Sequence, residues 1–316
     1  MSIKILAEDA ELIQEFSSMT KCVPYIYHKI KNLIYVSVYD LKTTIILEGI
    51  MLNNDAHVHI GDESIFSKIN TSDIAQKPIA YSCYKQNTVQ DYLLIMEKSK
   101  VNKALVIPFP FPELNIDNEN KNIINYVNIK PDKLFPLLLL PSNLDKITKY
   151  KFYGFKEHFL SHSNFSIKQK NEAYSFLQQN EFILLIHERS SLIIDVLANI
   201  RRNFPKLKIL IAHSGRKKAY SGNGITDVIL PTFGKDEYFY YDTSTIRNSN
   251  VIEQMVTQIG SERILFGSDT PFFQNEGEDT YFEELNIILN ANISSREQER
   301  ILSSNFINLL NIESMS

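Results

Sequence analysis

Cysteine is scarce in this chain. Its 316 residues include only Cys22 and Cys83, far apart and in no CxxC arrangement. A disulfide framework is therefore excluded as the source of stability, and a reducing cytoplasm is the expected compartment. Long apolar runs are missing as well. The longest obvious one, Leu137–Leu140, is a strand-sized piece between prolines, far short of the roughly 20 residues a membrane span needs. The N-terminus carries acids where a secretion signal needs a positive start and an apolar core. No solenoid-length repeat and no low-complexity tract interrupts the chain. A net charge of -4 and a pI near 6.0, with no basic patch laced with aromatics, argue against nucleic acid or an anionic membrane as partner. What is present is ordinary for a globular protein with a sizeable core: 44% hydrophobic and 22% charged residues.

From about residue 100, short apolar runs alternate with longer amphipathic stretches. Strands are expected at 101–109, 133–140, 151–158, 181–187, 206–213, 237–244 and 262–269, and a further one at 50–59 precedes them. Helical patterns fill 88–100, 118–128, 166–180, 190–204 and 249–260, then 280–290 and 294–311. The helix at 190–204 has a serine available as N-cap, and the one at 249–260 ends in the glycine expected of a stop signal. The apolar runs are continuous rather than alternating, which suits parallel strands buried on both faces. Eight such units predict an α/β protein built as a (β/α)8 TIM barrel over residues 49–316. The competing doubly wound sheet lacks support, because no GxGxxG follows the first strand. Residues 1–48 fall outside this count. They read as a small α+β extension, one helix plus a hairpin turning near Lys31-Asn32, packed on the barrel or on a second subunit of a homo-oligomer.

Of seven histidines, four close expected strands: His57 and His59 the first, His187 the fifth, His213 the sixth. Asp269 closes the eighth. All C-terminal strand ends of a barrel open onto one face, so residues more than 200 positions apart would share one cavity. Residues i and i+2 of a strand point the same way, which aligns His57 with His59. Imidazoles with a carboxylate suit a zinc-like cation that keeps a position open for water, whose pKa such an ion lowers to about 7. A single histidine at a strand end would be an ordinary hydrogen-bonded residue; the ordered set carries the inference.

The segments DAHVHIG (55–61), GFKEH (154–158), LLIHE (184–188), ILIAHSG (209–215), YYDTS (240–244) and RILFGSDTPF (263–272) occur in barrel order, with SSNFINLL (303–310) as a closing helix. Together they resemble the amidohydrolase superfamily, and most closely its amidohydrolase 2 branch of hydrolases and decarboxylases. The resemblance implies His57, His59, His187 and Asp269 as metal ligands, with Asp269 doubling as general base. It implies His213 as a catalytic group beside the metal, or as a ligand of a second ion bridged by Lys156 or Glu157. One or two divalent ions, with Zn2+ expected, follow from it. One departure stands out: Leu52-Asn53-Asn54 replaces the Pro-Gly that many relatives carry before the first motif strand.

Around this set lie residues with two readings. Lys156 and Glu157 face opposite sides of one strand, so only one can enter the cavity; His158 shares the side of Lys156. Arg189, Arg216 and Arg247 follow motif strands and could grip a substrate carboxylate or phosphate; each could equally be a solvated loop residue. Asp55 is placed to orient a ligand rather than bind the ion. His162 and His28 read as structural or surface groups. FPFPEL (109–114) and Phe272-Phe273 offer pocket walls, and the loop 214–236 is either a lid or a peripheral helix and turn. The expected function is metal-dependent hydrolysis of an amide, ester or lactone bond in a small molecule. Decarboxylation or hydration of a carboxylated substrate on the same site is the alternative, and a barrel retained only for binding is the third reading.

Overall fold

The computed structural model describes residues 37–39, 44–46, 53–65, 87–218, 222–272 and 280–312. Two compact units divide the chain, Met1–Met51 and Leu52–Ser316. In the first, β1 (Ser37–Tyr39) pairs antiparallel with β2 (Thr44–Ile46). The expected N-terminal helix, the turn at Lys31-Asn32, His28 and both cysteines lie outside the described residues.

The second unit carries eight strand positions in the expected order. They are β3 (Asn53–His59), β4 (Val101–Ile107), the broken strand β5 (Leu134–Pro136) with β6 (Leu138–Leu139), and β7 (Gly154–His158). They continue with β8 (Ile183–His187), β9 (Lys208–Ile211), β10 (Phe239–Asp242) and β11 (Ile264–Leu265). Every neighbouring pair is parallel. Leu137 divides the third position: β5 pairs with β4, while β6 pairs with β7. The curve closes between the last strand and the first. Ala56 N–H donates to Phe266 O at 2.9 Å, Asp269 N–H to His57 O at 2.8 Å, and His59 N–H to Thr270 O at 2.7 Å.

Helices alternate with these strands because the sequence supplies both an apolar stripe and a start signal. In α1 (Val89–Lys98) the stripe is Val89, Tyr92 and Met96, and Thr88 with Asp91 forms a capping box. Ser166 and Gln169 do the same for α3 (Ile167–Gln179), and Asn115 caps α2 (Ile116–Val127). The serine cap expected before the fifth-strand helix is not used. Here α4 (Ile193–Asn203) starts after Leu192 with no side-chain cap, and the buried face of Ile193, Leu197 and Ile200 holds it instead. The segment after β9 contains a wide helical turn at Ile225–Ile229 and α5 (Leu230–Phe233), with Ile225 and Ile229 buried. Next, α6 (Ser249–Ile259) ends at Gly260 with φ +74, the glycine stop expected from sequence. The chain closes with α7 (Thr280–Leu289), α8 (Ser295–Glu299) and α9 (Asn305–Leu310), the last two joined by a wide turn at Arg300–Ser304.

The core runs across the strands through Leu105, Leu137, Leu139, Leu185, Leu210 and Leu265, and Phe306 and Leu309 of α9 pack against it. Burying each such side chain contributes about 1.5–3 kcal/mol. Close approach replaces packing at Gly154, where a Cβ would collide with the backbone carbonyl of Ile183 on the next strand. None of the described helices is long and apolar enough to cross a membrane.

Where the third strand position breaks, a side chain repairs the ladder. Asn120 of α2 donates from Nδ2 to Leu139 O (2.8 Å) and accepts Leu139 N–H on Oδ1 (2.7 Å), all buried. Asn120→Ala leaves two buried backbone groups unsatisfied, and each costs about 1–3 kcal/mol. Urea unfolding should show a loss of about 2–4 kcal/mol, against less than about 0.5 kcal/mol for the exposed neighbour Lys121→Ala. Equal effects for the two substitutions would refute this role.

Candidate metal centre

Strand geometry brings His57 and His59 to one side of β3, and both are buried. His59 Nδ1 lies 2.9 Å from Pro108 O, and a carbonyl only accepts, so Nδ1 carries the proton and Nε2 keeps its lone pair. His57 Nδ1 lies 3.0 Å from Asp242 Oδ2 and is held as a donor in the same way. His213 follows the rule through an intermediary. Ser244 Oγ donates to Asp242 Oδ1, which leaves the Ser244 Oγ lone pairs free to accept from His213 Nδ1 at 2.7 Å. Three imidazoles therefore present bare Nε2 atoms. Such second contacts orient metal-binding histidines in general.

Asp242 was not singled out from the sequence, although it lies in the YYDTS segment. Its carboxylate accepts from His57 Nδ1, His213 N–H (2.9 Å), Ser244 N–H (3.0 Å) and Ser244 Oγ. Burial works against its charge, but His57 and the hydrogen bonds from His57, Ser244 and His213 outweigh it and lower its pKa. Two groups bring ligand-type atoms within 4.8 Å of one another: His57, His59 and Asp269, and His57, His213 and Asp242. In the second group four donors already occupy the oxygens of Asp242. Only its hydrogen-bonding role could have revealed Asp242, and that role depends on a partner 185 positions away.

Asp269 and His213 lie just beyond their strands rather than at the last strand residue. Both adopt left-handed backbone, each with φ +54, as do Ser214 (φ +50) and Thr245 (φ +59). Such residues are uncommon and gather where surrounding structure holds a side chain in a set direction. Asp269 Oδ1 lies 3.3 Å from His57 Nε2 and 3.6 Å from His59 Nε2, and its Oδ2 lies 3.7 Å from His213 Nε2. Burial raises its pKa, opposed by His57, Lys156 and Arg216. Gly267 allows this approach: a Cβ there would sit 3.0 Å from His57 Cβ and 3.4 Å from Asp242 Cβ.

Lys156 enters the same space. Its Nζ lies 2.5 Å from His57 Nε2 and 3.2 Å from His59 Nε2, and burial lowers its pKa to about 8 against the pull of Asp269 and Asp242. Glu157, the alternative to Lys156, faces away. Its Oε1 takes Lys170 Nζ at 2.5 Å, and Oε2 accepts from Tyr174 Oη outside the barrel. His187 is near but set apart: its ring stands edge-on to those of His158 and His213, both at 4.6 Å between centroids, yet it joins neither three-residue group. Burial, first, and neighbouring positive charges lower the pKa values of His59, His187 and His213, which favours neutral imidazoles.

The three arginines separate clearly. Arg247 is paired with Glu283 (2.8 Å) and Glu284 (3.7 Å). Arg189 is exposed and lies over the Phe159 ring. Arg216 is half-buried, and its charge reaches His187, His213 and Asp269. Phe109, Phe111 and Phe272 cluster beside His59, whose ring meets Phe272 edge-on at 5.0 Å, so the FPF segment does form an aromatic wall. His162 is structural. It accepts His158 N–H on Nδ1 and donates from Nε2 to Leu140 O.

The parallel barrel thus gathers a histidine–aspartate cluster at and just past its strand ends. The matching family model, described as Amidohydrolase, covers residues 144–312. The chain belongs to that family. Solved structures share the fold at low identity. A putative 2-pyrone-4,6-dicarboxylic acid hydrolase from Pseudomonas putida matches with a TM-score of 0.64 and 15% identity, over 84% of this chain and 99% of that one. The 5-carboxyvanillate decarboxylase of Sphingomonas paucimobilis gives 0.61 and 14%, over 83% and 100%. A dihydroxybenzoic acid decarboxylase from Polaromonas sp. JS666, solved with manganese and an inhibitor, gives 0.58 and 16%, over 82% and 97%. No curated protein matches in sequence.

Asp55 joins the two strands that carry the cluster. Its Oδ1 accepts from His57 N–H and Ser268 N–H, both at 3.0 Å, and Oδ2 accepts from Tyr92 Oη at 3.2 Å. Burial still dominates and raises its pKa to about 6. A folded-state value above the unfolded one means the native protein binds the extra proton. Stability should therefore fall as pH rises from about 4 to about 6 and level off above. Compared with wild type, Asp55→Asn should gain about 3 kcal/mol across that window, a gap of about two pH units at about 1.4 kcal/mol each. Urea titrations of metal-free protein at both pH values would measure this, and parallel pH profiles would refute it.

Proposed function

We propose that the protein is a metal-dependent hydrolase that cleaves an amide, ester or lactone bond in a small molecule. One observation carries the reading: bare Nε2 atoms of His57 and His59 and a carboxylate oxygen of Asp269 converge, with both Nδ1 atoms already engaged. This donor set fits a divalent cation of the zinc type. In this reading His57, His59 and Asp269 hold the ion, with His187 as the remaining ligand. The ion supplies Lewis acidity and eases deprotonation of water.

The chain's own groups do the rest. Asp269 spans the cluster, with one oxygen toward His57 and His59 and the other toward His213. It accepts the proton of the attacking water and returns it to the leaving group. His213, neutral and held by Ser244, directs its Nε2 lone pair toward the same region and orients that water. Arg216 supplies positive charge for an anionic substrate group, and the Phe109–Phe111–Phe272 wall excludes solvent beside His59. Lys156 donates as an amine to His57 and His59; carboxylated by CO2, it would instead be able to help hold a second ion.

A decarboxylase is the second reading, because decarboxylases as well as a hydrolase share this barrel. Turnover in H2-18O by zinc-loaded protein, over a panel of lactones, esters, amides and aryl carboxylates, separates the two. Product carrying the label supports hydrolysis; CO2 released without label in the remaining product supports decarboxylation. His57→Ala should bind less than about a tenth of the wild-type zinc and lose at least about 100-fold in kcat/KM. Full zinc content or full turnover in that variant would sink the metal reading.

A further inference from the structure

His158 takes part in none of the chemistry assigned above, yet its tautomer is set opposite to that of His57, His59 and His213. It ends β7 on the same side as Lys156, and only 7% of it is exposed. Its ring stacks on Phe159 (4.7 Å between centroids) and meets His187 edge-on at 4.6 Å. Nδ1 accepts the backbone N–H of Leu160 at 3.2 Å. An imidazole nitrogen that accepts has no proton, so a neutral ring carries its proton on Nε2. The turn holding it is rigid, since His162 receives His158 N–H and is anchored on Leu140 O. Among the described residues nothing accepts from His158 Nε2.

His57, His59 and His213 thus present lone pairs, while His158 presents an N–H at the other end of the same arc of rings. A lone pair suits a cation; an N–H suits an oxygen. We propose that His158 is a substrate-binding residue that donates an Nε2–H hydrogen bond to a carboxylate or carbonyl oxygen of the substrate, and that it ligates no metal. This assignment rests on the reading of His57, His59 and Asp269 as the metal cradle, but it fails separately from it.

Protein labelled with 15N-histidine provides the test, using zinc and benzoate as probes. Long-range 1H–15N spectra, with the His158 signals assigned by their loss in His158→Gln, should show protonated Nε2 and bare Nδ1. Zinc should shift the Nε2 signals of His57 and His59 and leave the His158 proton in place. Benzoate added to the zinc protein should shift His158 Nε2–H. Its Kd should rise about tenfold in His158→Phe and stay within about threefold in His158→Gln, whose amide still donates. A proton on His158 Nδ1, its displacement by zinc, or unchanged benzoate affinity in His158→Phe would each overturn the assignment. If His57 and His59 ignore zinc while His158 keeps its proton and its benzoate response, the metal cradle fails and His158 stands.

Discussion

The site depends on the seam where the barrel closes. Backbone hydrogen bonds from Ala56, His59 and Asp269 join residues more than 200 positions apart, and the buried carboxylate of Asp55 grips His57 N–H and Ser268 N–H across the same joint. A buried carboxylate without partners would be costly, so Asp55 is satisfied only when both strands are in place. Closing the seam also sets Asp269 against His57 and His59. The interaction that completes the fold and the one that assembles the cluster are the same.

A second layer decides what the cluster can do. Five imidazoles, His59, His57, His213, His187 and His158, form an unbroken arc with ring centroids 4.6–5.3 Å apart. Ring contact alone would leave their chemistry open. Direction comes from the partners of Nδ1: Pro108 O, Asp242 and Ser244 accept from it, whereas Leu160 N–H donates to it. Three rings thereby become acceptors toward the barrel mouth and one becomes a donor. One side chain repeated along an arc yields two functions because the groups behind it differ in polarity.

Much of this was legible in the sequence for a physical reason. Parallel strands buried on both faces produce continuous apolar runs, so all eight strand positions and most helices stand out. The i, i+2 rule aligned His57 with His59 and separated Lys156 from Glu157, and the structure shows Lys156 inside and Glu157 bound to Lys170 and Tyr174 outside. The unused serine cap of α4 shows where local signals lose to packing, because burial of Ile193, Leu197 and Ile200 outweighs one cap hydrogen bond. The arginines were indistinguishable in sequence, since each follows a strand by a few residues. What separates them is their surroundings: Glu283 and Glu284 hold Arg247, Arg189 lies exposed over Phe159, and Arg216 is half-buried with its charge toward Asp269.

Taken alone, the sequence determined the barrel, the order of its strands and the histidines and aspartate at their ends, because periodicity and strand parity are local properties. Tertiary structure alone decided the role of Asp242, the left-handed placement of His213 and Asp269, the separation of His187 from both three-residue groups, and the tautomers of His57, His59, His213 and His158. These depend on which acceptor or donor stands behind a ring. That partner comes from another strand, and no spacing along the chain encodes its distance.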